Sequence, residues 1–151
     1  MRILVVSDSH GDTYKLKKAI EDQPDISMMI HLGDGERDID KVSHMLSVPY
    51  AAVCGNCDIY SQLPECELLT VGGKRIYCTH GHKEKVKYGD SMLRNIAKSR
   101  NADIALYGHT HVPVNVYDDG LYVFNPGSLR EGSFGIIDIL PSGIICIHRK
   151  M

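Results

Sequence analysis

Apolar and polar positions in the first third of the chain predict three buried strands separated by two helices. The apolar runs cover residues 3–7, 28–32 and 50–54, and each run ends beside glycine or polar residues. Between the runs, apolar side chains recur at helical spacing, and the first helix begins near Asp12 and is stopped by Pro24. This alternation predicts parallel strands with helices packed against the sheet. The second helix has a polar start at residues 36–40 and apolar positions at Ile39, Val42, Met45 and Leu46.

The remainder of the chain predicts a second group of strands around one helix. Gly72 and Gly73 separate two apolar runs and indicate a hairpin, whereas residues 90–100 have the apolar spacing of a helix. Because short turns join the later strands, we expect antiparallel pairing among them. The sequence therefore predicts an α/β fold of two packed mixed sheets with helices outside, as a single domain over residues 1–151. The second group of strands is expected at residues 67–71, 75–79, 104–107, 114–117, 121–124, 134–139 and 144–148.

Composition and charge are those of an ordinary soluble protein. Hydrophobic residues make up 43% and charged residues 24% of the 151 residues, so the chain can bury a substantial core. The formal net charge of -2 argues against broad electrostatic binding to nucleic acid. No apolar run is long enough for a signal peptide or a membrane span, so we expect a cytoplasmic protein. The five cysteines are odd in number and scattered, which indicates reduced thiols.

Metal-binding residue types beside glycine follow five of the predicted strands. In layered α/β folds, ligands bind just beyond the carboxyl ends of strands, so these five segments could meet at one edge. Each segment alone also fits an ordinary cap or turn, but together they indicate a metal site. Carboxylate, amide and imidazole donors suit Mn, Fe, Zn, Co or Ni. The segments are Asp8-Ser9-His10-Gly11, Gly33-Asp34-Gly35, Gly55-Asn56-Cys57-Asp58, Thr79-His80-Gly81-His82 and Gly108-His109-Thr110-His111.

In order and spacing, these motifs resemble those of the calcineurin-like metallophosphoesterases, most closely the small prokaryotic YfcE-type phosphodiesterases. The resemblance extends from Asp8 to the Asn125-Pro126-Gly127-Ser128 segment, which covers nearly the whole chain. It implies a four-layer α/β/β/α sandwich, in agreement with the strand pattern. It also implies a metal-dependent phosphoesterase, a phosphoric diester hydrolase in which a hydroxide bridging two divalent ions attacks phosphorus.

The resemblance further implies two divalent metal ions, with manganese expected first and Ni, Fe, Zn or Co as alternatives. Seven ligands exceed the needs of one tetrahedral ion, whereas two ions that share a carboxylate would use them all. By position, the first ion would take Asp8, His10 and His111, the second Asn56, His80 and His109, and Asp34 would bridge both.

Three further residues are expected to act in catalysis, and one of them departs from the family pattern. His82 would face the substrate and stabilise the phosphoryl oxygens. Cys57 stands where many members have a histidine that protonates the leaving oxygen, and Asp58 would orient that group or the metal ligands, as would Asn125. A small cysteine that merely fills the space of the histidine is the alternative interpretation of Cys57. His31 and His44 match no motif and are expected to be structural or on the surface.

A phosphodiesterase is the leading functional hypothesis, with a small phosphoester as the substrate. Nucleic acid is expected only as a phosphodiester substrate, membrane binding is not expected, and homo-oligomerisation is left open. A phosphomonoesterase that acts on nucleotides or phosphoproteins is a second hypothesis. The third is an interaction scaffold of low activity, since a retromer subunit resembles these enzymes but serves as a binding platform.

Overall fold

A computed structural model describes all 151 residues and contains ten strands and three α-helices. The helices are α1 (Thr13–Glu21), α2 (Glu36–Val42) and α3 (Ser91–Ser99), and short 3-10 turns lie at Ser43–Met45 and Val86–Tyr88. The strands are β1 (Arg2–Val6), β2 (Met28–His31), β3 (Tyr50–Ala52), β4 (Cys66–Val71), β5 (Lys74–Thr79), β6 (Ile104–Leu106), β7 (Val114–Asp118), β8 (Leu121–Asn125), β9 (Ser133–Leu140) and β10 (Gly143–Lys150).

The strands form two mixed five-stranded sheets. The first has the order β10-β9-β1-β2-β3, in which β1, β2 and β3 are parallel and β9 is antiparallel to both of its neighbours. The second has the order β4-β5-β6-β8-β7, with parallel strands in the centre and antiparallel strands at both edges. The parallel strands of each sheet therefore direct their carboxyl ends, and the loops that follow them, to a common edge.

Three apolar clusters hold the layers together. The inner faces of the two sheets pack against each other through side chains such as Val5, Leu106 and Phe124. Leu16 and Ile39 attach α1 and α2 to the outer face of the first sheet, and Leu93 attaches α3 to that of the second. The predicted four-layer α/β/β/α sandwich is confirmed.

The second helix differs from the sequence-based prediction. It ends at Val42, and a 3-10 turn carries Met45 while Leu46 is already extended. The apolar spacing of Met45 and Leu46 arises because both still pack against the cluster under α1 and α2. Asp38, expected in the solvated start of this helix, is instead buried. No helix of the structure combines the length and apolar character that crossing a membrane requires.

Candidate metal centre

Backbone hydrogen bonds join the strand-end loops of both sheets at one edge of the sandwich. The amide of Asp8 donates to the carbonyl of Gly33 at 3.0 Å, and that of His10 donates to Asp34 at 3.0 Å. In the second sheet, the amide of Gly108 donates to the carbonyl of His80 at 3.0 Å. The loops that follow β1 and β2 are thereby held side by side, as are those that follow β5 and β6. The amide of His109 donates to the carboxylate of Asp8 at 3.1 Å and so joins the two pairs.

Five of the seven predicted ligands have a left-handed backbone. Non-glycine residues adopt positive φ rarely, and such strain is concentrated at functional sites because the surrounding structure must maintain it. Here it turns each side chain inward immediately after its strand ends. The φ angles are 55° at Asp8, 46° at His10, 57° at Asp34, 65° at His109 and 61° at His111.

Two glycines beside the predicted ligands are required by close packing. A Cβ atom at Gly55 would lie 2.0 Å from the Oδ1 atom of Asp34, and one at Gly108 would lie 1.9 Å from the Oγ atom of Ser7. Any larger residue would displace the Asp34 carboxylate or the segment that leads to Asp8. The glycines of the Gly55-Asn56 and Gly108-His109 motifs thus allow loops from different strands to meet.

The side chains predicted for the first ion form one group. The Nε2 atom of His111 lies 3.1 Å from the Oδ1 atom of Asp8 and 3.3 Å from the Nε2 atom of His10. The Nε2 atom of His10 lies 3.5 Å from the same carboxylate oxygen. One carboxylate oxygen and two imidazole nitrogens therefore converge on a single point.

The side chains predicted for the second ion lie next to this group. The Nε2 atom of His80 is 3.1 Å from the Oδ1 atom of Asn56 and 3.3 Å from the Oδ2 atom of Asp34. The ring of His109 lies edge-on to that of His80, with 5.0 Å between centroids. Because the same Asp34 oxygen is 3.8 Å from the Nε2 atom of His10, this carboxylate lies between the two groups.

The donor chemistry of the second group fits a cation. The Nδ1 atom of His80 lies 2.7 Å from the carbonyl oxygen of Leu32, so it carries the ring proton when the ring is neutral. The lone pair on Nε2 then faces the oxygens of Asn56 and Asp34, none of which can donate a proton to it. In addition, Asp8 and Asp34 are buried without a lysine or arginine partner. Buried anions need a compensating charge, which a divalent ion would supply.

Without a bound ion, His80 itself supplies part of the charge that these carboxylates need. Burial disfavours the charged Asp34 carboxylate, but its hydrogen bond and charge interaction with His80 lower its pKa overall. Burial likewise opposes the charged form of His80, yet the hydrogen bond to Asp34 and the charge of Asp8 raise its pKa. In His109, burial and the charge of His80 lower the pKa to about 4. A neutral imidazole is the form that binds a metal, so His109 is available as a ligand near pH 7.

Asp58 ties together the loops that carry Asp34 and Asn56. Its carboxylate accepts four backbone N–H groups, from Asp34 at 2.7 Å, Gly55 at 2.8 Å, Gly35 at 3.0 Å and Glu36 at 3.1 Å. A carboxylate with several N–H donors is a strong and directional anchor. The structure thus places Asp58 where it can orient metal ligands through their backbone.

Cys57 lies at the exposed rim of the centre. Its sulfur is within 4.8 Å of ligand atoms of His10 and Asp34, and its backbone N–H donates to the Oδ1 atom of Asp34 at 2.8 Å. Partial burial, followed by the charge of Asp34, raises the pKa of the thiol. The group is therefore a protonated thiol at neutral pH, and a weak acid.

His82 lies on the side of the centre next to the second group. Its ring centroid is 5.5 Å from that of His80 and 6.1 Å from that of His109. Burial and the charge of His80 lower its pKa, and its buried Nδ1 atom has no hydrogen-bond partner. The loop that carries it is anchored by buried Glu84, which accepts hydrogen bonds from Tyr77 at 2.8 Å and Thr79 at 3.0 Å.

Asn125 and a buried network support the centre from behind. Asn125 donates to the carbonyl of Gly108 at 2.9 Å and to Thr110 at 3.1 Å, and so holds the loop of His109. Under the first group, Ser9 donates to Asp38 at 2.6 Å and lies 3.3 Å from the Nε2 atom of His31. The sequence interpretation missed this network, since nothing local in the sequence distinguishes Asp38 from a solvated helix residue.

His31 is structural and its ring is neutral. The amide of Gly33 donates to its Nδ1 atom at 3.2 Å, so Nε2 carries the proton and faces Ser9. Complete burial lowers the pKa of His31 to about 4, although the charge of Asp58 opposes this effect. His44, in contrast, is exposed.

Acid should destabilise the metal-free protein partly through His31. Below its ordinary pKa of 6.5 the unfolded chain binds a proton that the folded chain excludes until about pH 4. The free energy of unfolding should therefore fall by about 3 kcal/mol as pH decreases through that window. Urea unfolding in the presence of a chelator measures this free energy at each pH, and its dependence on pH should be weaker in His31→Gln. An unchanged pH dependence in that variant would assign the loss to other groups.

Comparison with known proteins identifies relatives that match most of this chain. A family model described as a calcineurin-like phosphoesterase superfamily domain matches residues 1–139. The probable metallophosphoesterase YsnB of Bacillus subtilis (strain 168) is 35% identical over 131 residues, covering 86% of this chain and 76% of YsnB. The phosphodiesterase YfcE of Escherichia coli (strain K12) is 26% identical over 174 residues, covering 91% of this chain and 88% of YfcE. These findings confirm the resemblance seen in the strand-end motifs.

The same fold occurs in Vps29. The crystal structure of wild-type Vps29 from Entamoeba histolytica complexed with zinc superposes with a TM-score of 0.78 and 22% sequence identity. The match covers 99% of each chain. At this identity the similarity shows the fold alone.

Proposed function

Because the chain belongs to the calcineurin-like phosphoesterase superfamily, we propose that it is a phosphodiesterase that uses two divalent metal ions. Membership of this family makes the protein a hydrolase of phosphoesters. The position of the Asp34 carboxylate carries the rest of the proposal. It lies within 4 Å of His10 from the first ligand group and of His80 from the second. A relative named a phosphodiesterase, YfcE, supports the diester as substrate class.

In this proposal, the chain holds the ions and orients the substrate around them. Asp8, His10 and His111 would hold one ion, Asn56, His80 and His109 the other, and Asp34 would contact both. Once bound, the two ions would supply an acidified water as nucleophile and positive charge for the phosphoryl oxygens. His82 would donate a hydrogen bond to a phosphoryl oxygen, and the Cys57 thiol would face the leaving group. Asp58 and Asn125 would keep the ligand loops in register.

Metal content and hydrolysis provide the first test of the proposal. Protein reconstituted separately with Mn, Ni, Fe, Zn or Co should bind about two ions per chain and hydrolyse bis-p-nitrophenyl phosphate, fastest with Mn. Elemental analysis gives the stoichiometry, and release of p-nitrophenolate gives the rate. His80→Ala and His111→Ala should each lose about one ion, whereas His44→Ala, which alters an exposed histidine far from the motifs, should lose none. Uptake of one ion or none by the parent would contradict the dinuclear centre.

The other two functional hypotheses give different results in the same assay. A phosphomonoesterase would prefer p-nitrophenyl phosphate to the diester. The Vps29 similarity keeps the scaffold hypothesis open, because that protein has the same fold. A scaffold would bind the metals and hydrolyse neither compound. The complete set of seven ligand residues in this chain favours an enzyme.

A further inference from the structure

One groove opens directly from the metal centre and runs along α2. It has a volume of about 500 Å³, within the range of small-molecule binding sites. His10 and Asp34 form its inner end, and Ile59 contributes an apolar side chain. Its size exceeds that of a phosphoryl group, so the groove can hold a substantial part of a substrate beyond the scissile ester.

Three cations line this groove and form no ion pair. They are Arg37, Lys41 and Arg130, all exposed. Elsewhere in the protein, lysines and arginines commonly pair with carboxylates, as Arg94 does with Asp90 at 2.8 Å. None of the three groove cations lies within 4.0 Å of a carboxylate oxygen. Their charges are therefore available to a ligand.

The positions of these cations are fixed close to the centre. Arg37 and Lys41 are four residues apart on α2 and share one helical face, where two like charges are mildly unfavourable for the helix. The backbone amide of Arg130 donates to the carbonyl of Asp8 at 3.2 Å, which holds this residue beside the first ligand group. The repulsion between Arg37 and Lys41 is not relieved by a neighbouring carboxylate, and a bound anion would relieve it.

Two acidic side chains of the same wall have partners of their own, and a third, Glu36, forms no ion pair. Asp38 is buried and accepts hydrogen bonds from Ser9 at 2.6 Å, Thr13 at 2.8 Å and the amide of Gly11 at 2.9 Å. Asp58 accepts four backbone amides. Neither carboxylate is within ion-pair distance of the three cations, so these cations face the groove unpaired.

We propose that this groove selects phosphoesters that carry a second phosphate, or an equally charged anionic group, beyond the scissile one. The inference rests on the proposed function, since the inner end of the groove is the metal centre. Arg37, Lys41 and Arg130 bind the second anion, while the metal centre takes the scissile phosphodiester. The substrate class is thus a phosphodiester that carries a second anionic group at a distance from the scissile phosphate.

A pair of matched substrates tests this selectivity. The p-nitrophenyl ester of thymidine 5′-phosphate has one phosphate, and the same ester with an added 3′-phosphate has two, with an identical leaving group. The manganese-loaded parent should show a KM about tenfold lower for the second compound, and the difference should shrink as salt is added. In Arg37→Gln/Lys41→Gln and in Arg130→Gln the difference should largely disappear, with hydrolysis of bis-p-nitrophenyl phosphate nearly unchanged.

The control variant removes the same charge elsewhere. Lys17→Gln/Lys74→Gln affects an exposed residue on α1 and a half-buried one on β5, both outside the groove, and should retain the full preference. Calorimetric binding of thymidine 3′,5′-bisphosphate and thymidine 5′-phosphate gives a readout that does not depend on catalysis. An equal affinity of the parent for both, or a preference that survives in the groove variants, would overturn the inference. Absence of all hydrolysis with the binding preference intact would reject only the proposed function.

Discussion

Asp34→Asn should abolish most activity, with a larger effect than any single histidine substitution. The carboxylate lies between the two ligand groups, 3.3 Å from His80 and 3.8 Å from His10, so one substitution weakens both ion sites. Loss of an outer partner of a metal ligand costs about 10–100-fold, and loss of a shared ligand should cost about 10³-fold or more in kcat/KM. Elemental analysis should find less than about one ion per chain, compared with about one in His80→Ala or His111→Ala.

Asp40→Asn is the matched control for this substitution. Asp40 is an exposed residue of α2, and its change should leave metal content and activity unaltered. Metal-free Asp34→Asn should unfold at a somewhat lower temperature than the metal-free parent, because the charge interaction with His80 is lost while the asparagine oxygen can still accept from the amide of Cys57. If Asp34→Asn kept both ions and most of its activity, Asp34 would not be the shared ligand.

The fold could be predicted because its hydrophobic pattern is unambiguous. Strands such as β1 and β2 are buried on both faces and consist mostly of consecutive apolar residues, as parallel strands do. The end of α2 could not be predicted, since Met45 and Leu46 keep helical spacing although the backbone has left the helix. Apolar spacing indicates which side chains pack on the core, and side chains of a 3-10 turn can pack on the core as those of a helix do.

The residues of the candidate metal centre could be predicted from the sequence, but the side chains that hold them in place could not. The seven predicted ligands follow strands, close to glycines, and this pattern is visible in the sequence. The partners of these residues come from distant segments: Asp58 binds the loop of Asp34 and His31 underlies Ser9. Arg130 lines the same groove as Lys41, although the two residues are far apart in the sequence. Such contacts depend on tertiary packing and leave no local pattern.

The position of Cys57 makes the leaving-group step the weak point of the proposed reaction. The thiol stands at the rim of the centre, and partial burial together with the charge of Asp34 raises its pKa. A thiol with a raised pKa is a weak acid and donates its proton poorly to the leaving oxygen. Effective general-acid catalysis typically raises the rate by about 10²–10⁴-fold, and most of this gain should be missing here. The carboxylate of Asp58 accepts four backbone amides and has no neighbouring side-chain acid as a hydrogen-bond partner.

Hydrolysis should therefore depend steeply on the pKa of the leaving group. Activated aryl diesters such as bis-p-nitrophenyl phosphate should be hydrolysed readily and unactivated alkyl diesters slowly, because the thiol of Cys57 is a weak general acid. Cys57→Ala should be nearly as active as the parent on the activated diester, whereas Cys57→His should accelerate poor leaving groups by up to about 10²-fold. Rates over a series of substituted phenyl esters, measured for the three proteins at equal metal content, give the slopes that decide this. A shallow slope in the parent that becomes steep in Cys57→Ala would show that the thiol does supply the proton.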